Sequence, residues 1–195
     1  SSRRNIAHHY DVSNAFYRLW LDEQMVYSCA YFPSRTETLA QAQRAKLDHI
    51  LTKLMLKPGE RLLDIGCGWG ALVIRAAQAF GARAVGVTLS RNQYELARER
   101  VRQAGLGDQV EIRLQDYRDL DARDGLFDKI TSVGMFEHVG LEHLPEYFGR
   151  IHSLLKDGGL VLNHGITSTD PGSGATPLGA ANFIEKYVFP HGELP

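Results

Sequence analysis

The sequence predicts an α/β fold, a doubly wound and mostly parallel sheet with helices on both faces, from three observations. Strand-like and helical patterns alternate between residues 60 and 165. One apolar strand leads into three alternating glycines, Gly66, Gly68 and Gly70, and then into a helix. Polar side chains follow several of the other strands. Because ligands of such sheets bind beyond the carboxyl ends of the strands, we expect a small-molecule site at that edge.

The composition is that of a globular domain with a substantial core: 195 residues, of which 44% are hydrophobic and 23% charged. A formal net charge of -1 gives no electrostatic support for nucleic acid as a partner. The two cysteines, Cys29 and Cys67, indicate a reducing compartment and not a disulfide framework. No run approaches the roughly 20 apolar residues of a membrane helix, and no secretory signal opens the chain. We therefore expect a cytoplasmic location.

The N-terminal segment, residues 1–58, is predicted to be helical. Residues 14–21 and 39–56 both carry helical periodicity, and Thr36 or Thr38 is a suitable N-cap for the second helix. The periodicity is equally consistent with a lid over the ligand site and with simple packing on the sheet.

Residues 59–166 are predicted to form the ligand-binding core, with glycines at helix ends and turns. The predicted strands are 61–66, 83–88, 110–115, 127–134 and 159–166, and the predicted helices are 69–80, 91–104 and 143–155. Residues 167–195 begin with a stretch rich in Gly, Pro, Ser and Thr, which predicts a mobile loop up to residue 182.

The glycine turn by itself is ambiguous between two kinds of nucleotide site. Gly66-x-Gly68-x-x-Ala71 fits the dinucleotide-binding fingerprint. That fingerprint also requires an acidic residue at the end of the second strand, where this chain has Thr88, Leu89 and Ser90. The dinucleotide interpretation thus loses one of its two supports. A turn without any ligand is disfavoured, because three alternating glycines cost conformational entropy without adding packing.

The chain resembles the class I S-adenosylmethionine (SAM) methyltransferases, which share the acid-and-glycine turn seen in "LLDIGCGWG". Within that class it closely resembles the cyclopropane-fatty-acid synthases and mycolic acid cyclopropane synthases. The segments that carry the match, in the family's order, are "HYDVSNAFY" at 9–17, "YSCAYF" at 27–32, "LLDIGCGWG" at 62–70, "TLSRNQ" at 88–93, "DYRDL" at 116–120, "FEHVG" at 136–140, "LNHGI" at 162–166 and "KYVFPHGELP" at 186–195.

The resemblance implies a Rossmann-like fold and a SAM site. Thr88 and Gln93 would serve the ribose where other methyltransferases use a carboxylate, and Tyr117 would flank the adenine. Many mycolic acid relatives have Trp-Glu where this chain has Tyr117-Arg118. The implied cofactor residues are Tyr27, Ser28, Asp64, Ile65, Gly66, Cys67, Gly68, Trp69, Gly70, Thr88, Leu89, Ser90, Gln93 and Tyr117.

The resemblance also implies a bicarbonate ion in the active site. Its ligands in the family match Cys29, Glu137, His164 and the backbone of Ile166. A tyrosine that completes the site in the family would lie beyond Pro195, as would the last two strands of the usual sheet. We expect no metal site, since no second cluster with ligand spacing accompanies the two N-terminal histidines.

The implied reaction adds a methylene group across a cis double bond of an unsaturated phospholipid acyl chain, through a carbocation that bicarbonate deprotonates. Two related reactions are alternatives: methylation of a fatty acid without ring closure, and methylation of a small-molecule amine. A nucleotide-binding module without catalysis is a third alternative, and we expect that a truncated chain can be inactive. Peripheral contact with the inner membrane face and a homo-oligomer are compatible with the family.

Overall fold

The sheet has five strands, all parallel, in the order β3-β2-β1-β4-β5. The computed structural model describes residues 13–121 and 125–167. The strands are β1 (Arg61–Ile65), β2 (Arg83–Thr88), β3 (Val110–Leu114), β4 (Phe127–Val133) and β5 (Leu155–His164). The order reverses its direction at β1, with β2 on one side and β4 on the other, which creates the crevice where ligands of such sheets bind. The predicted α/β class is confirmed.

Helices cover both faces of this sheet. They are α1 (Asn14–Tyr17), α2 (Leu39–Lys53), α3 (Ala71–Phe80), α4 (Arg91–Gln103) and α5 (Leu144–Leu154), with short 3-10 turns at Tyr117–Asp119, Phe136–His138 and Leu141–His143. Leu62 of β1 joins the apolar cluster with α2, α3 and α4, whereas Leu63 joins the cluster with α5. Alternate side chains of one strand are thus buried on opposite faces, as a doubly wound sheet requires.

Helix α2 begins at a capping box on Thr38, the second of the two predicted caps. The Thr38 hydroxyl accepts a hydrogen bond from Gln41 N at 3.3 Å, and Gln41 Oε1 accepts one from Thr38 N at 2.8 Å. The helix ends at Lys53 and not at residue 56, because Met55 adopts a φ of 50°, which helical backbone cannot continue.

Helix α1 is a single turn, shorter than the predicted span of 14–21. Its N-cap Ser13 accepts a hydrogen bond from Phe16 N, and the helix ends at Tyr17. The following turn is held by Asp22, whose Oδ1 accepts from Val26 N at 2.8 Å. This turn redirects the chain toward the ligand site.

Strand β5 begins at Leu155, four residues before the predicted start at Gly159. The glycines at 158 and 159 lie inside the strand, where its register with β4 shifts between Phe127 and Lys129. A Cβ at Gly159 would lie 2.9 Å from the Asp128 carbonyl oxygen, so this close backbone approach requires glycine.

The predicted mobile loop beyond residue 167 and the "KYVFPHGELP" segment lie outside the described residues, as do residues 1–12. Within the described part of the chain, every helix is too short or too polar to cross a membrane.

Candidate functional site

A cavity lies at the carboxyl edge of the sheet, between the glycine turn after β1 and a roof that is formed by residues 25–28 and α2. Every predicted cofactor residue except Gly70 lines it. The position of the N-terminal segment therefore fits the lid interpretation better than packing on the sheet alone. The cavity is also lined by residues that the sequence had not assigned to the cofactor, among them Lys46, Gln115, Asp116, Arg118, Gly134, Met135 and His138.

The glycine turn folds tightly against β2. The backbone N–H groups of Gly66 and Cys67 both donate to Val87 O at 3.0 Å. Gly66 and Gly68 have φ values of 78° and 55°, a region that favours glycine. Gly70 (φ 83°) caps α3, and a Cβ there would lie 3.3 Å from the Ala97 Cβ. Gly70 thus shapes the turn from behind the cavity.

Asp64, at the end of β1, is a buried carboxyl group that lines the cavity. Burial raises its pKa to about 6, against the opposing effects of a 2.8 Å hydrogen bond from Thr131 Oγ1 and of the charge on Lys46. Loss of solvation is the largest of these effects. The carboxylate form at neutral pH therefore depends on its neighbours.

The end of β2 carries a neutral hydrogen-bonded unit in place of a carboxylate. Thr88 Oγ1 donates to Gln93 Oε1 at 2.8 Å and accepts from Ser90 N at 3.2 Å. The Ser90 hydroxyl also caps α4 by accepting from Gln93 N at 3.3 Å. The side chains predicted to serve the ribose are therefore close together and fixed by one another.

The end of β3 contributes a charge-balanced pair. Arg118 donates to the buried Asp116 carboxylate through Nε at 3.0 Å and Nη2 at 2.7 Å. Tyr117 stands between them in sequence and packs edge-to-face on Tyr147, with ring centroids 5.5 Å apart. This pair holds the aromatic ring that is predicted to flank the adenine.

Two polar residues on the buried face of α2 hold the roof, and neither was assigned from the sequence. Gln43 Nε2 donates to the carbonyl oxygens of Val26 at 3.2 Å and of Ser28 at 2.9 Å. Lys46 Nζ donates to Ser28 Oγ. Their spacing of three residues on an otherwise apolar helical face was a signal that could have identified them.

Burial lowers the pKa of Lys46 to about 8, although Asp22, Asp64 and Cys29 nearby act in the opposite direction. Similarly, burial raises the pKa of the Cys67 thiol inside the glycine turn, so this sulfur is held as a neutral thiol. The cavity thus combines a buried ammonium group with a buried carboxyl group.

Of the residues predicted to hold bicarbonate, Glu137 and Ile166 are in contact. Glu137 is 2% exposed, and its Oε1 accepts from Ile166 N at 2.7 Å. Among the described residues, Glu137 Oε2 and His164 Nδ1 are both buried without a hydrogen-bond partner. The N–H group of Ile166 is thus engaged by Glu137.

Cys29 is the fourth residue predicted to hold bicarbonate. Its side chain is exposed, and like Glu137 and His164 it does not line the cavity. It is close enough to Lys46 to contribute to the electrostatic environment of that ammonium group. The two unpartnered atoms, a carboxylate oxygen and an imidazole nitrogen, nevertheless suit a small anion that carries both an acceptor and an O–H donor. Glu137 and His164 therefore fit bicarbonate, and the roles of Cys29 and Ile166 stay predictions from the family.

The family model described as mycolic acid cyclopropane synthetase matches residues 1–195. A "Probable fatty acid methyltransferase" of Pseudomonas putida is 53% identical over 190 residues, which are 97% of this chain and 48% of that protein. The cyclopropane-fatty-acyl-phospholipid synthase of Escherichia coli is 46% identical over 187 residues, 96% of this chain and 46% of that protein. The chain thus spans about half the length of these curated relatives.

Among solved structures, the mycolic acid cyclopropane synthase CmaA1, in complex with SAH (S-adenosylhomocysteine) and CTAB, superposes with a TM-score of 0.89 at 38% identity. The match covers 100% of this chain and 70% of that one. The fold is accordingly the Rossmann-like one of the class I SAM methyltransferases. On the family match and on this fold, the chain belongs to the mycolic acid cyclopropane synthetase family.

Proposed function

We propose that this protein transfers a methyl carbon from SAM to a cis double bond of an unsaturated phospholipid acyl chain and closes a cyclopropane ring. The observation that carries the proposal is the position of Glu137 and His164. Glu137 follows β4, which is the neighbour of β1, and His164 ends β5, the next strand outward. Each presents a buried polar atom without a hydrogen-bond partner among the described residues.

The cavity supports SAM as the methyl donor. Thr88 and Gln93 offer neutral hydrogen-bonding groups at the end of β2, and Tyr117 offers an aromatic ring at the end of β3. The structure of the related CmaA1 contains SAH. SAM supplies an electrophilic methyl group, which the weak nucleophilicity of an alkene requires, and the residues of the cavity contribute by orienting it.

Ring closure requires that a proton leave the transferred carbon next to a carbocation. Bicarbonate, when bound, supplies a base for that proton. Glu137 Oε2 would accept a hydrogen bond from its O–H group, and His164 Nδ1 would donate to it, with the imidazole in that tautomer. The carbocation requires surroundings that exclude water, and the low exposure of Glu137, 2%, is compatible with such surroundings.

Methylation of a fatty acid without ring closure is the second candidate. The relative with 53% identity carries the name "Probable fatty acid methyltransferase", whereas the E. coli phospholipid synthase is 46% identical. The same cavity and the same donor would serve both reactions. They differ in where the proton is lost after methyl transfer.

An acyl chain of a phospholipid is reached at a membrane surface. We therefore propose that the protein acts in the cytoplasm with peripheral contact to the inner membrane face. The detergent CTAB in the CmaA1 structure supports an amphipathic substrate. A homo-oligomer remains a prediction from the family.

The test is incubation of the purified protein, in its full natural length, with SAM that carries a trideuterated methyl group and with vesicles of a cis-monounsaturated phospholipid. Fatty acid methyl esters are then analysed by mass spectrometry and proton NMR. We expect a product that retains two of the three deuterium atoms, lacks olefinic protons and shows ring protons upfield of the methyl region. A labelled product that keeps a double bond would support the second candidate. Binding of SAH without transfer of label to lipid would contradict both.

A further inference from the structure

The roof of the cavity contains a buried cation that the proposed chemistry does not use. Lys46 of α2 is 6% exposed and lines the cavity. Its ammonium group donates to Ser28 Oγ, which satisfies one of its three N–H donors. A buried ammonium group is costly unless it is paired, so its presence next to a ligand cavity requires a physical reason.

The groups that face Lys46 are two carboxyl groups and one thiol: Asp22, Asp64 and Cys29. Asp22 is already occupied within the roof, where its Oδ2 and Oδ1 accept from the backbone N–H groups of Gln24 and Val26. Asp64 accepts from Thr131. The remaining N–H donors of Lys46 therefore lie beside a cavity that also contains a carboxyl group of opposite charge.

Lys46 and Ser28 lie at the β4 side of the cavity. The Cβ of Ser28 is 4.0 Å from the position that a Cβ on Gly134 would take, and Gly134 directly follows β4. The predicted nucleoside residues, Thr88 and Tyr117, follow β2 and β3 on the other side of β1. A nucleoside bound at β2 and β3 would thus direct its amino-acid tail toward Lys46.

We propose that Lys46, together with the Ser28 hydroxyl, recognises the α-carboxylate of the methyl donor. This inference rests on the proposed use of SAM. The amino-acid tail of SAM is a zwitterion, and the cavity presents the buried ammonium group of Lys46 near the buried carboxyl group of Asp64 at the end of β1. A charge-assisted hydrogen bond from Lys46 would hold the carboxylate, and Asp64 would face the ammonium group of the tail.

A purely structural role for Lys46 makes a different prediction. In that case Lys46 would only hold the roof closed, as Gln43 does through the carbonyl oxygens of Val26 and Ser28. Loss of either side chain would then weaken every ligand of the cavity by a similar factor. Recognition of the carboxylate, in contrast, would affect only ligands that carry one.

The experiment is a calorimetric titration of the protein, in its full natural length, with SAH and with decarboxylated SAH, which keeps the nucleoside, the thioether and the amine. We expect the wild type to prefer SAH by about tenfold or more. Lys46→Met should reduce this preference to less than about threefold, and Lys46→Arg should restore part of it. Gln43→Met should weaken both ligands and keep the preference. Lys53→Met, an exposed lysine on the same helix, should change neither affinity.

Each other outcome is decisive. If the wild type binds SAH without preferring it, or if Lys46→Met keeps the preference, the role of Lys46 is wrong while the SAM site stands. If Lys46→Met weakens both ligands equally and melts like the wild type by circular dichroism, Lys46 is a structural residue. If the wild type binds neither ligand, the proposed cofactor is itself wrong, and this inference falls with it.

Discussion

The indole Nε1 of Trp69 donates a hydrogen bond of 2.8 Å to Oδ1 of Asn14, which joins the glycine turn to helix α1 across 55 residues of sequence. Asn14 Nδ2 in turn donates to the Asn92 carbonyl oxygen of α4 at 3.3 Å. Trp69 is 2% exposed and packs against Tyr17, with ring centroids 4.9 Å apart. Helix α1, which precedes the roof in sequence, is therefore attached to the glycine turn that borders the cavity.

Asn14→Ala should destabilise the chain by about 1–3 kcal/mol, because it leaves the buried Trp69 N–H without its acceptor. Urea denaturation followed by tryptophan fluorescence measures this. Asn14→Asp is the matched control, since it keeps an acceptor oxygen and removes only the donor to Asn92. Equal losses in both variants would contradict the importance of the Trp69 bond.

Gly86→Ala should destabilise the chain by about 1–3 kcal/mol and weaken SAH binding. The new Cβ would lie 2.8 Å from Cys67 Cβ and 2.9 Å from its Sγ, so the glycine turn must shift. Gly107→Ala is the control, because nothing lies within 4 Å of the added carbon. Thermal melts and SAH titrations of the two variants check this, and a Gly86→Ala variant that matches the wild type in both would refute it.

As the pH rises from about 4 to about 6, the wild type should lose stability relative to the Asp64→Asn variant. The pKa of folded Asp64 is raised from 3.8 to about 6, so the folded state binds a proton that the unfolded state has already released. This contribution is present below pH 3.8 and is lost as the pH rises through 6. Denaturant titrations at several pH values measure it, and a difference independent of pH would show that Asp64 is not perturbed.

Lys46 should give the complementary dependence at alkaline pH. Its pKa falls from 10.5 in the unfolded chain to about 8 in the folded one, so the unfolded state binds more protons between these values. Wild-type stability relative to Lys46→Met should therefore rise as the pH increases from 8 to 10.5. Comparing the two proteins removes the contribution of other groups that titrate in this range. A parallel pH profile for both proteins would contradict the assignment.

Glu137→Gln should reduce ring formation by about 10²-fold or more while SAH affinity stays within about twofold of the wild type. The glutamine keeps an acceptor for Ile166 N but replaces the unpartnered acceptor oxygen with an NH₂ donor. Glu137 does not line the donor cavity, which is why binding should survive. Initial rates of label transfer and calorimetry separate the two effects. A parallel loss of SAH binding would indicate a structural role for this carboxyl group.

Local patterns in the sequence were sufficient to predict the strands and helices of the core. The alternation of strands and helices, the glycine turn and the Thr38 cap all depend on contacts between residues close in sequence. The predicted element boundaries were wrong where tertiary contacts determine the backbone conformation. Strand β5 begins before Gly159 because the chain passes close to Asp128 of β4, and no local pattern carries that information.

The candidate site likewise has features that the sequence predicts and features that only the tertiary structure shows. The sequence by itself identified the glycine turn and about half of the residues that line the cavity, because residues at the ends of neighbouring strands come together in any doubly wound sheet. Only the tertiary structure decided that Gln43 and Lys46 hold Ser28, that Glu137 takes the N–H group of Ile166, and that Cys29 lies outside the cavity. These are contacts between distant parts of the chain, and burial and charge in the folded protein select them.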